Sequence, residues 1–167
     1  ALSKKYQKKT QLEHIRDLPD TYIGSIEFKE TNEYIISVED SKDTIKLKKI
    51  QINPGFINIV EEILVNAIDA FSRTEQKNKT LKGKNKLKCV TNINITIDKD
   101  GKITIFNNGD GIDIAEHPTE KIYIPQMIFG ELLTSGNYDK SEEKITGGKN
   151  GYGAKLTNIY STYFKVE

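Results

Sequence analysis

Four short stretches hold the side chains able to do chemistry. The first contains Glu62, Asn66 and Asp69. On a helix these three fall within about 60° of one another, stacked over two turns, so a carboxylate, an amide and a carboxylate form one column. The amide oxygen of Asn66 is a hard ligand suited to Mg²⁺, an ion that keeps several waters and leans on substrate phosphates. Glu62, one turn away, can accept a proton from a water aimed at a phosphorus atom. The second stretch is Asn107-Asn108-Gly109-Asp110-Gly111. Asn107 can offer both a donor and an acceptor to a base edge, and Gly109 and Gly111 let a ring approach the backbone. The third runs from Leu133 to Asp139. The fourth, Gly147 through Lys155, has four glycines in its first seven residues and leads into helix-forming residues up to Tyr160. Backbone amides at such a start face an anion, and Lys155 adds a point charge one turn in, suited to a terminal phosphate. The stretch lacks the adjoining Lys-Ser/Thr of a Walker A loop. Taken singly, the column also reads as a wet helix face, Asn107 as a plain Asn-Gly turn and the glycines as a flexible loop. Their conjunction, in this order, is what a nucleotide site uses.

The elements that must position these groups are legible in outline. Residues 1–21 are polar and basic, with Leu2, Leu12, Ile15 and Leu18 as apolar points, and read as an arm with a short helix around 10–17 that ends at Asp17-Leu18-Pro19-Asp20. Alternation predicts strands near 33–38 and 44–51, joined by the polar turn Glu39–Asp43. Asn53-Pro54 is a cap followed by proline in a first helical turn. The periodic run it opens places Ile57, Val60, Leu64, Ala67, Ile68 and Phe71 on one face, opposite the polar column. Six lysines at 77, 79, 82, 84, 86 and 88, with no acid among them, make 76–91 a basic loop. It is either a solvated insertion or a phosphate-contacting one. Ile93, Ile95 and Ile97, the turn Asp98–Gly101 and Lys102–Phe106 form a second hairpin. That acidic turn lacks the ligand register and distal Glu of a calcium loop.

Composition narrows the classes. The 25 basic and 24 acidic residues nearly cancel, so any DNA contact must be local. Cys89, the single cysteine, forms no internal disulfide and has no partner at zinc-finger spacing, which favours a reducing compartment and a passive thiol. No apolar run approaches the roughly 18 residues of a bilayer span, and the first residues lack a signal-peptide core, so an intracellular protein is expected. His14 and His117 have no nucleophile or acid at catalytic spacing and read as structural or surface groups. Tyr160, Tyr163 and Phe164 are expected to pack.

Six stretches together carry a family resemblance: Tyr6–Ile15, Pro19-Asp20-Thr21-Tyr22-Ile23-Gly24-Ser25, Glu62-Ile63-Leu64-Val65-Asn66-Ala67, Asn107–Ile112, Ile128–Ser135 and Gly147–Leu156. The chain resembles the amino-terminal ATPase region of type II DNA topoisomerases of the eukaryotic and large-DNA-virus type. These lie within the superfamily of gyrase, the ninety-kilodalton chaperones, histidine kinases and MutL (GHKL). The arm before Gly24 separates topoisomerases from the other members.

The resemblance implies an α+β fold, a two-layer sandwich of a mixed sheet with helices on one face, binding ATP and Mg²⁺ and incomplete at its carboxyl end in this chain. It divides the chain into an arm, 1–27, that exchanges between subunits, and an ATP-binding domain, 28–167. Glu62 would be the general base and Asn66 the magnesium ligand. Asn107, where many relatives have Asp, would address adenine, and Ser135, Gly136 and Asn137 would meet ribose and phosphate. Gly148, Lys149, Asn150, Gly151, Tyr152, Gly153, Ala154 and Lys155 would form the lid over the triphosphate. Tyr6 would reach the partner's nucleotide in a homodimer. The function implied is ATP-driven passage of one DNA duplex through another, with the DNA-cleaving residues outside this chain, in the nucleus of a cell or in the host cytoplasm or nucleus for a virus. The alternatives are another ATPase of the superfamily, of the chaperone or mismatch-repair type, or a nucleotide-binding module without turnover. Three departures stand out: Ala70 where relatives have Asn or Glu, Ser135-Gly136-Asn137 in place of Ser-Ser-Asn, and a longer 76–91 loop.

Overall fold

The computed structural model describes residues 8–39, 42–132 and 152–167. Internal contacts divide the chain into two units, Ala1–Asn58 and Ile59–Glu167. The first unit opens with helix α1, Gln11–Asp17, started by a reciprocal cap. The Glu13 amide donates to Thr10 Oγ1 at 3.2 Å and the Thr10 amide donates to Glu13 Oε2 at 2.8 Å. Pro19, with its φ already helical and no amide to satisfy, begins the one-turn helix α2, Pro19–Tyr22. Among the described residues of this unit Ile15 and Ile23 are buried apolar side chains, and His14 Nδ1 meets the Tyr22 hydroxyl at 2.8 Å.

Strands β1, Lys29–Glu39, and β2, Lys42–Ile52, pair antiparallel in the register Tyr34 opposite Leu47 and Ile36 opposite Ile45. Both run beyond the expected 33–38 and 44–51, because the pairing continues through polar residues such as Glu30 and Asp43, and Glu30 also forms an ion pair with Lys49. One face of this ribbon carries Tyr34, Ile36, Val38, Ile45 and Leu47, all exposed.

Helix α3, Pro54–Asn78, begins as the sequence predicts. The Phe56 amide donates to the Asn53 side-chain oxygen at 2.9 Å, while Asn53 Nδ2 donates to the Ile26 carbonyl at 2.7 Å. The helix reaches into the segment read as loop, and Asn78, at its end, fastens the basic residues beyond it. Its Nδ2 donates to the Leu87 carbonyl at 2.9 Å and its Oδ1 accepts from the Leu87 amide at 2.8 Å. The basic segment is therefore anchored, with a 3-10 turn at Gly83–Asn85 and with Cys89 Sγ accepting from Asn78 Nδ2 at 3.2 Å. Asn78→Ala removes both Leu87 bonds and is expected to lower stability by about 1–2 kcal/mol, measured by urea unfolding.

In the second unit β3, Ile93–Ile97, and β4, Ile103–Asn107, form the expected hairpin. The Asp98 carboxylate accepts from the Asp100 amide at 3.0 Å and the Lys102 amide at 2.8 Å, so the acidic turn is satisfied by its own backbone. Helix α4 spans Ile124–Gly130, and α5, Gly153–Ile159, lies near the end of the chain. Asn158 Nδ2 donates to the Phe129 carbonyl at 3.0 Å, and the rings of Phe129 and Phe164 lie 6.2 Å apart. Phe164 thus packs as expected, whereas Tyr163 is exposed. The architecture is α+β. Among the described residues the strands pair as two antiparallel hairpins.

Candidate functional site

The site is built on the part of α3 that belongs to the second unit. Thr157 Oγ1 of α5 donates to the Ile59 carbonyl at 2.7 Å, and one turn further along α3 the Glu62 side chain lies against Gly153, one turn back along α5. The two helices thus run antiparallel here, with the short residue of one facing the carboxylate of the other. The burial of α3 departs in part from the expected pattern. Asp69, read as part of a wet face, is 6% exposed, whereas Ile68 and Phe71, read as core, are 48% and 40% exposed. Ala67 is buried as expected. The period of a helix shows which residues share a face, but not which face receives a neighbour.

Glu62, Asn66 and Asp69 do share a side. Burial, first, and the negative charge of Asp69, second, raise the Glu62 pKa above its ordinary value, with Glu61 adding to the effect. Glu62 and Asn66 are each half-buried. A carboxylate held in this way keeps a higher proton affinity than one in water, which suits a general base. The raised value also has a stability consequence. Folded Glu62 binds its proton more tightly than the unfolded chain does, so its contribution to folding is full below the ordinary 4.5 and is lost as pH rises through the raised folded value. Glu62→Gln, neutral throughout, is expected to melt above wild type at neutral pH, with the difference closing below about pH 4.5 in a thermal-melting series.

Fit to a magnesium ion rests on the donor set. Asn66 presents an amide oxygen between two carboxylates on one partly dry helix side, all hard oxygen donors. Among the described residues no three His, Cys, Asp or Glu side chains cluster as a metal cage. Hard oxygen donors of this kind suit an ion that shares its coordination with phosphates and water.

Asn107 closes β4, and its Oδ1 accepts from the Gly109 amide at 3.2 Å, the local turn bond of an Asn-Gly sequence. Packing gives Gly109 a reason of its own: a Cβ there would come within 2.6 Å of Val90 Cγ2. Gly111 instead takes φ +85°, in the left-handed region that favours glycine. Asn108, which the sequence did not single out, is a clamp. Its Oδ1 accepts from the amides of Thr91 and Asn92 at 2.9 and 3.0 Å, and its Nδ2 donates to Thr91 Oγ1 at 2.8 Å.

Of the glycine-rich stretch, Tyr152, Gly153, Ala154 and Lys155 are described. Tyr152 precedes α5, and its carbonyl accepts from the Leu156 amide at 2.8 Å. Lys155 is 2% exposed, and desolvation lowers its pKa. The side chain read from sequence as a point charge for a terminal phosphate is thus largely enclosed. Tyr6, Ser135, Gly136, Asn137, Gly148, Lys149, Asn150 and Gly151 lie outside the described residues. Thr157 and Asn158, which fix α5, carried no sequence signal beyond a helical period.

Residues 51–165 match the family described as histidine kinase-, DNA gyrase B-, and HSP90-like ATPase, and the chain belongs to it. Within that family it groups with the ATPase region of type II topoisomerases. It is 48% identical over 170 residues to DNA topoisomerase 2 of Acanthamoeba polyphaga mimivirus, covering 100% of this chain and 12% of that one. It is 49% identical over 163 residues to mouse DNA topoisomerase 2-alpha, covering 97% of this chain and 10% of the relative. It resembles the crystal structure of the ATPase region of Saccharomyces cerevisiae topoisomerase II with a TM-score of 0.79 and 46% identity, covering 96% of this chain and 39% of that one. The chain thus spans about a tenth of the length of the curated relatives it matches. The six stretches quoted from the sequence pointed to this family, and the arm before Gly24 to its topoisomerase members.

Proposed function

We propose that this chain binds and hydrolyses ATP and that, in the full-length protein, ATP drives passage of one DNA duplex through a transient break in another. The observation that carries the reading is the half-buried Glu62 carboxylate, its pKa raised by burial, one turn from Asn66 and against the first residue of α5. In the proposed reaction a water attacks the terminal phosphorus, Glu62 takes its proton, and the bond to the bridging oxygen breaks to release ADP and phosphate. Asn66 would hold Mg²⁺, which when bound offsets phosphate charge, and Lys155 would add a fixed positive charge. Asn107 would read the adenine, Ser135, Gly136 and Asn137 would meet ribose and phosphate, and Gly148 through Lys155 would close over the triphosphate.

Bound nucleotide would join two copies of the protein, Tyr6 of one reaching the nucleotide of the other. Duplex DNA is the proposed partner, through the full-length protein. The proposed location is the nucleus for a cellular source, and the host cytoplasm or nucleus for a viral one. The test is phosphate release by the full-length protein with and without duplex DNA. ATP-dependent relaxation of supercoiled plasmid together with DNA-stimulated phosphate release supports the reading, and ATP turnover indifferent to DNA with no change in plasmid topology contradicts it.

A further inference from the structure

We propose that Gly153 is a positioning residue for Glu62: a hydrogen in place of a side chain at the first residue of α5 leaves the space that the Glu62 carboxylate occupies. This deepens the hydrolytic reading above and rests on it. A Cβ built at Gly153 would coincide with the Glu62 carboxylate and would stand 3.0 Å from Glu62 Cγ. Something must therefore move when that position gains a methyl group.

Helix α5 is poorly placed to retreat. Ala154, Lys155, Leu156 and Thr157 are all buried. Thr157 Oγ1 is tied to the Ile59 carbonyl of α3 at 2.7 Å, and Asn158 Nδ2 to the Phe129 carbonyl of α4 at 3.0 Å. Those bonds hold α5 to α3 one turn from Glu62 and to α4 at its far end. The Glu62 carboxylate, by contrast, is the far end of a rotatable side chain, so it gives way. Gly153 is also the first residue of α5 and takes no left-handed φ, so alanine is compatible with the backbone there. Gly153→Ala should therefore leave folding intact while relocating the base. A glycine kept only so that phosphate can approach the backbone would behave differently, because its loss would appear as weaker nucleotide binding whatever residue stands at 62.

The test is a double-mutant cycle in the full-length protein with Gly153→Ala, Glu62→Asp and the pair, read by ATP turnover, with Glu62→Ala as reference. Gly153→Ala is expected to melt close to wild type and to lower kcat by about 10–100-fold, the cost of misplacing a reacting group by an ångström, with little change in KM. Asp is one methylene shorter and draws the carboxylate back from the added Cβ. The double variant should accordingly turn over faster than Gly153→Ala alone, and the acid limb of its pH profile should differ from that of Gly153→Ala. Costs that simply multiply, a loss confined to KM, or unfolding of Gly153→Ala would each overturn the positioning role. If Glu62→Ala itself turns over like wild type, the fault lies in the assignment of the base, and the positioning role goes with it.

Discussion

Replacing Glu62 with alanine in the full-length protein is expected to lower ATP turnover by about 10²–10⁴-fold, the range for losing a positioned general base. Nucleotide should still bind. The expectation comes from where the side chain sits: half-buried, with desolvation and Asp69 together holding its proton affinity above that of a carboxylate in water. A raised proton affinity suits a group that accepts a proton, and it disfavours folding at neutral pH. Phosphate release under saturating ATP measures the loss, and nucleotide titration of the same variant separates chemistry from binding. Turnover within a few-fold of wild type would remove Glu62 from the proton-accepting role.

Asn66→Ala is expected to remove the magnesium-dependent part of nucleotide affinity. Outer partners of metal ligands typically account for about 10–100-fold in metal affinity, so loss of a direct oxygen ligand should cost at least about tenfold. The change leaves Glu62 and Asp69 in place on the same helix side, so a general loss of the site is not expected. Titration of ATP with Mg²⁺ and with chelator measures the effect. Wild type should bind more tightly with the ion and the variant should bind equally in both. A variant that keeps the full difference would place the ion elsewhere.

The sequence carried local structure well because local rules govern it. Asn53 with Pro54, and Asp98 with Gly101, state a helix start and a turn in residue types whose bonds the structure contains. The column on α3 was legible for the same reason, being a matter of helical period. What the sequence did not carry is which element lies against which. Asp69 is buried and Phe71 exposed, and α5, some ninety positions further on, meets α3 at Ile59 and Glu62; helical period states neither. Asn78 ends α3 and holds Leu87, yet nothing in its immediate neighbours distinguishes it from the asparagines of a loop. Gly153 shows the same limit. Its place in a glycine-rich run suggested room for phosphate, whereas its nearest side-chain neighbour in the fold is Glu62.

The most direct measurement is calorimetric titration of ATP into the full-length protein with Mg²⁺ present. Saturable uptake of one adenine nucleotide per chain, weakened by chelator and preserved in Glu62→Ala, is the predicted result. Absence of any saturable uptake by the folded wild-type protein would contradict the account at its root.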